Sequence, residues 1–154
     1  MNAIGQRKKA SRLEVFDGKP GNLLRLANQI ATAVFTRHVG PSGVTSVQCC
    51  VLEALTARPG LDAAALGNLI AVDPATLASV IQRLEARGLI SRGPREGDRR
   101  VKELTVTPKA NQLLDEIHAQ VRKVKREILA PLSPDERKQF IKTLELFIAR
   151  HDQN

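Results

Sequence analysis

The sequence predicts a mainly α-helical fold carrying one small β-hairpin, and three observations lead there. Apolar residues recur at helical spacing in several separate stretches. Asp-Pro, Thr-Pro and Ser-Pro pairs stand where helices would begin, the proline being tolerated in a first turn. Two β-rich runs, LISR and VKELTVT, flank the arginine-crowded turn GPREGDRR at residues 93–100.

Residues 1–18 hold RKKASR and little apolar material, so they read as a flexible basic arm. In GNLLRLANQIATAVFTRH, Leu23, Leu26, Ala27, Ile30 and Val34 fall on one helical face, and GPSG at 40–43 stops the helix. TSVQCCVLEALTARPG gives a second helix with Thr45 or Ser46 as N-cap and Pro59-Gly60 as terminator. Asp62 caps a short third helix, DAAALGNLI. Asp73-Pro74 opens a fourth, PATLASVIQRLEAR, whose Leu77, Val80, Ile81 and Leu84 form its buried stripe and whose end is marked by Gly88. The hairpin follows. Thr107-Pro108 then begins a long fifth helix with a heptad-like seam of Leu114, Ile117, Val121, Val124 and Ile128, broken by Pro131. Ser133-Pro134 opens a sixth, with Phe140, Ile141, Leu144, Phe147 and Ile148 on one side.

The third helix, the tight AVDPA turn and the fourth helix make a helix-turn-helix pair, and the hairpin after it is a wing. The fold class is therefore mainly α with a small β-hairpin wing, a winged helix-turn-helix. The first, fifth and sixth helices offer apolar faces that one protomer would struggle to cover, which predicts an obligate-type homodimer joined through these terminal helices. The expected organisation is a basic arm over 1–18, a helical dimerisation region over 19–42 and 108–151, and a winged helix-turn-helix DNA-binding domain over 43–107.

Composition narrows the class of partner. A chain of 154 residues that is 42% hydrophobic and 26% charged has the balance of a folded globular domain rather than a disordered one. No apolar run approaches the roughly 18 residues of a membrane span and the N-terminus is too polar for a signal peptide, so a cytoplasmic protein without membrane contact is expected. Lys and Arg number 24 against 16 Asp and Glu, a net charge of +8, which favours a nucleic acid partner. With four Phe and no Tyr or Trp, stacking of single-stranded bases is disfavoured and duplex binding through cations and backbone stays open.

The stretch from Val44 to Ala110 carries the PGL…LG..I.VDPATL…I.RLEARGLI run and the wing signature GDRRVKELTVTPKA. Through these residues the chain resembles the MarR family of bacterial transcriptional regulators, over about residues 22–150. The resemblance implies a homodimer that represses from a pseudo-palindromic double-stranded DNA operator and lets go when a small, often aromatic, anionic ligand binds.

A helix reads base edges in the major groove, and a helix-turn-helix puts the start of its second helix there. Opposite the apolar stripe of the fourth helix stand Pro74, Ala75, Thr76, Ser79, Gln82 and Arg83, small or polar residues that permit close approach. Ser79 departs from the family pattern, in which many relatives carry arginine. In the wing, Arg95, Arg99 and Arg100 are placed to follow phosphates. Arg95 reads equally well as a solvated tip residue. By resemblance, Arg99 is the residue for the minor groove, with Asp98 and Arg100 bracing the turn. Lys109, just after the wing, is a further candidate for a phosphate.

The resemblance puts the effector between the dimerising helices and the reading head, lined by the first, second and fifth helices. Polar groups near that junction are Arg25, His38, Thr45, Ser46, Gln48, Cys49 and His118, with Arg or His as counter-charge for a carboxylate. The same resemblance implies a small aromatic acid, with a hydroxynicotinate-type N-heteroaromatic as the expected ligand. Adjacent Cys49 and Cys50 cannot form an unstrained disulfide. They sit on an apolar helix with no Lys or Arg in the same turn, so packing thiols are preferred over an oxidant sensor, which is the alternative reading together with an architectural winged helix lacking ligand control. His38, His118, His151 and the cysteines have no zinc-ligand spacing, and no phosphate loop or nucleophile elbow is present, so neither a metal, a cofactor nor an enzymatic activity is expected.

Overall fold

A computed structural model describes residues 15, 18–95 and 98–152, with backbone alone at 95 and 98–101. The expected arm over 1–18 and the tip residues 96–97 thus lie almost wholly outside the described residues. Val15 is described; it is helical and exposed. The described chain runs α1 (Pro20–Val39), a 3₁₀ turn (Gly40–Ser42), α2 (Ser46–Ala57), α3 (Ala63–Ile70), α4 (Pro74–Ala86), β1 (Ile90–Arg95), β2 (Asp98–Val106), α5 (Pro108–Leu129) and α6 (Pro134–His151). This is the mainly helical, winged helix-turn-helix order expected from the sequence.

Local chemistry sets the boundaries. Thr45, rather than Ser46, caps α2 through a reciprocal box: its hydroxyl accepts from the Gln48 amide at 3.2 Å, and Gln48 Oε1 accepts from the Thr45 amide at 3.1 Å. Ser133 and Glu136 form a second reciprocal box at α6, while Asp62, Asp73 and Thr107 cap α3, α4 and α5 by accepting from the amide three residues on. α4 ends at Arg87, and Gly88 follows with φ of 68°, the left-handed conformation that lets the Leu89 amide return to the Leu84 carbonyl at 2.9 Å.

The reading head closes around one core. Leu52, Leu55, Leu66, Leu77, Ile81, Leu84, Leu89 and Leu104 are fully buried, joining α2, α3, α4 and the hairpin. Between α3 and α4 the chain bends by 112°, within the range for a helix-turn-helix. Ala71 makes the corner with φ of 52°, a left-handed conformation unusual for a residue with a Cβ. Gly67 lets the helices meet, since a Cβ there would stand 3.2 Å from both Leu77 Cδ2 and the Val72 carbonyl. β1 pairs antiparallel with β2, from Ile90 opposite Val106 to Arg95 opposite Asp98, with a register shift between Pro94 and Arg95. Leu61 adds a one-residue bridge to Leu104, which no sequence periodicity announces.

A second core joins α1 to α5. Val34, Val39, Val44, Cys49, Ile117 and Val124 are buried there, with Leu114, Val121 and Ile128 packed against them. The heptad-like seam of α5 is thus covered by α1 of the same chain. Along the N-terminal part of α1 the expected apolar face is open: Ile30 is 57% exposed and Ala27 is also exposed. α6 has no buried residue. Among the described residues no single helix is long and apolar enough to cross a membrane.

Candidate nucleic-acid interface

α4 sorts its residues by phase. Leu77, Val80, Ile81 and Leu84 face the core, and Pro74, Ala75, Thr76, Ser79, Gln82 and Arg83 are all exposed. At its leading end Asp73 Oδ1 accepts from the Thr76 amide at 2.9 Å. The Thr76 side chain, together with that amide bond, holds the Asp73 carboxyl below its ordinary value of 3.8, so it stays ionised at the positive end of the helix dipole. The row of small and polar side chains leaves the front of the helix free of bulk, a shape that enters a groove.

The wing is fastened to α4 at its base. Arg92 of β1 makes a fork on Glu85, Nε to Oε1 and Nη2 to Oε2, both at 3.2 Å. The Ser91 and Thr105 hydroxyls share a bond of 2.9 Å across the hairpin. Backbone pairing carries Arg95 and Asp98 to the end of the ladder. The side chains of Arg95, Asp98, Arg99 and Arg100 lie outside the described residues.

Lys109 is exposed, and its Nζ donates to the Arg87 carbonyl at 2.8 Å. One of its three N–H donors thus serves the end of α4, a contact that spacing in the sequence does not announce, and two donors are left for the expected phosphate. Arg92, whose cation ties wing to reading helix, was also missed. Its partner lies seven residues earlier on another element, so nothing in local spacing signals the pair.

The residues expected at the effector junction are spread over α1, the start of α2 and α5. Thr45 and Gln48 spend polar groups on the α2 cap, and Gln48 is buried. Ser46 is the first residue of α2 and half-buried. His38 Nε2 and Glu127 Oε2 are 2.6 Å apart, and Arg37 pairs with the same carboxylate, clamping α1 to α5. Arg25 lies exposed on α1. His118 is on α5, in a cleft of about 280 Å³ between α2 and α5 that it lines with Glu53, Thr56, Leu114, Ile117 and Val121.

The two cysteines differ, which corrects the expectation that both are packing thiols. Cys49 is buried and Cys50 is exposed. Burial and the neighbouring Glu53 charge push the Cys49 thiol up to about 12, and its Sγ donates to Glu53 Oε1 at 3.6 Å. The Cys50 thiol is also raised, by partial desolvation and by Glu53. Both environments hold the sulfur protonated, the opposite of what a peroxide-reactive thiolate needs.

Residues 42–101 match the model of the MarR family. Over 117 residues the chain is 34% identical to the HTH-type transcriptional repressor NicR of Pseudomonas putida, spanning 76% of this chain and 74% of that protein. Among solved structures it is similar to BpsR of Bordetella bronchiseptica, described in a study of how 6-hydroxynicotinic acid regulates its DNA binding. The identity is 30% and the TM-score 0.80, over 86% of this chain and 94% of that one. It is also similar to the PcaV transcriptional regulator of Streptomyces coelicolor in complex with its natural ligand, with 29% identity and a TM-score of 0.78, over 92% of this chain and 98% of that one.

Proposed function

The chain belongs to the MarR family and is a winged helix-turn-helix transcriptional repressor; from that premise we propose that it binds a pseudo-palindromic operator as a homodimer and releases it when a small aromatic acid binds. The observation that carries the DNA reading is the exposed row of Pro74, Ala75, Thr76, Ser79, Gln82 and Arg83 on a helix whose opposite face is wholly buried. With serine at position 79, the row reads sequence through small and polar contacts. Affinity then rests heavily on the wing cations Arg95, Arg99 and Arg100, with Asp98 bracing them. Residues 43–107 are the DNA-binding unit in this reading, 19–42 and 108–151 the dimerising one, and 1–18 a basic arm.

Selection of duplexes from a random pool, followed by footprinting, tests this directly. A discrete two-fold site is expected, with half-site centres about one helical turn, roughly 34–36 Å, apart. Uniform protection without sequence preference would instead make the protein an architectural one. Arg99→Ala should weaken binding to every duplex and lower the salt slope by about 1.

For the effector, the names and ligands of the relatives support a hydroxynicotinate-type acid. Candidate contacts are Arg25, His38, Thr45, Ser46, Gln48 and Cys49, with His118. Engaging His38 would exchange its bond to Glu127 for one to the ligand carboxylate, which loosens α1 from α5 and links occupancy to the reading head. Titration of 6-hydroxynicotinic acid into the operator complex should release DNA, whereas unchanged binding at saturating acid removes this ligand class.

A further inference from the structure

Arg87 closes α4 and touches both segments that lead out of the reading head. Its amide completes the helix by donating to the Arg83 and Glu85 carbonyls. Its guanidinium leaves the helix altogether: Nη1 donates at 2.6 Å to the carbonyl of Gly43, on the turn joining α1 to α2. Its own carbonyl accepts from Lys109 Nζ, in the first turn of α5, at 2.8 Å. One residue further, the Gly88 carbonyl accepts from the Thr107 hydroxyl at 2.7 Å.

The Gly43, Lys109 and Thr107–Gly88 bonds are all exposed, where water competes and each contributes little net stability. The buried stripe from Leu77 to Leu84 already holds α4 in the core. What these bonds add is direction, because they fix the far end of the reading helix to both terminal helices' connections. A helix of 13 residues is about 20 Å long, so a tilt of about 5° pivoting at Arg87 carries the Pro74 end by roughly 1.7 Å. A hydrogen bond to a base edge does not survive a displacement of that size.

We infer that Arg87 is a positioning residue for DNA reading: by holding the Gly43 carbonyl and receiving Lys109, it sets the angle of the reading helix relative to α1 and α5 without touching DNA. The inference rests on the DNA-reading function proposed above.

The test uses a labelled duplex that the wild-type protein selects from a random pool. Failure of the wild type to select any sequence overturns the DNA-reading function itself, a result separate from every comparison of variants. With that duplex, Arg87→Ala is expected to bind about tenfold more weakly, the size of one lost base contact. Its salt slope and its Tm should match those of the wild type. Arg87→Lys keeps a donor within reach of the Gly43 carbonyl and should recover affinity to within about threefold. Unchanged affinity of Arg87→Ala overturns the assignment. So does a salt slope smaller by about 1, which would make Arg87 a phosphate contact, and so does a loss that Arg87→Lys fails to restore. Should Arg87→Ala not fold, Lys109→Met removes the other bond, and an operator affinity equal to wild type then counts equally against the inference.

Discussion

Leu52, Leu55, Leu66 and Leu84 have no exposed surface in the reading head, while α6 leaves Phe140 41%, Phe147 46% and Ile148 56% exposed. Both regions show the same apolar spacing in sequence. They differ in where the covering surface comes from. The reading head finds its partners in α2, α3, α4 and the hairpin of one chain, so its core is complete. The α6 face, together with Leu24 and Ile30 of α1, is a set of large apolar side chains of the kind that marks an association surface. Periodicity therefore tells which face of a helix is buried, not by whom.

Breaking the head's core should give the largest effect. Leu55→Ala deletes a fully buried side chain from a packed cluster and is expected to cost about 3 kcal/mol. Urea unfolding would show this as a lower midpoint at unchanged slope. Phe147→Asp addresses the other half of the comparison. It leaves the folded protomer with its core intact and places a charge in the α6 face. Sedimentation should find the wild type dimeric and this variant monomeric, and wild-type Tm should rise with protein concentration where that of the variant does not. A monomeric wild type would remove the contrast, since α6 would then be an uncovered helix with no second copy on it.

The same contrast explains what was legible beforehand. Caps and stripes are local, so Asp73-Pro74, a cap at Thr45 or Ser46 and the burial of Leu77, Val80, Ile81 and Leu84 could be read along the chain. The exposed row of α4 followed, because the far side of a helix is fixed once its buried side is known. The unequal cysteines were also readable in principle: Cys49 shares a face with the buried Leu52, and Cys50 is rotated off it. The bonds that join elements were not legible. Arg87 to Gly43, Arg92 to Glu85 and the Glu127 clamp on Arg37 and His38 each depend on how helices meet. Polar residues at such places look the same in sequence as solvated ones.

The Glu127 clamp offers the smallest and most specific test, since it ties the covered half of α5 to the end of α1. The His38 bond, reinforced by the Arg37 charge, holds the Glu127 carboxyl below its ordinary value of 4.5. A carboxyl with a lower value folded than unfolded contributes stability that is present above the unfolded value and is lost as the pH falls through the folded one. As the pH falls below about 5, the unfolded chain takes up this proton before the folded one does, so wild-type Tm should fall until the folded carboxyl is protonated as well. Glu127→Gln has no proton to take up, and its Tm should start lower at neutral pH and fall less steeply. Asp73 and Glu136, also held low by their cap bonds, keep a slope in both proteins, so the informative quantity is the difference between the two curves. Parallel curves would mean that solvent screens the clamp and that α1 is held to α5 by Val34, Ile117 and Val124 alone.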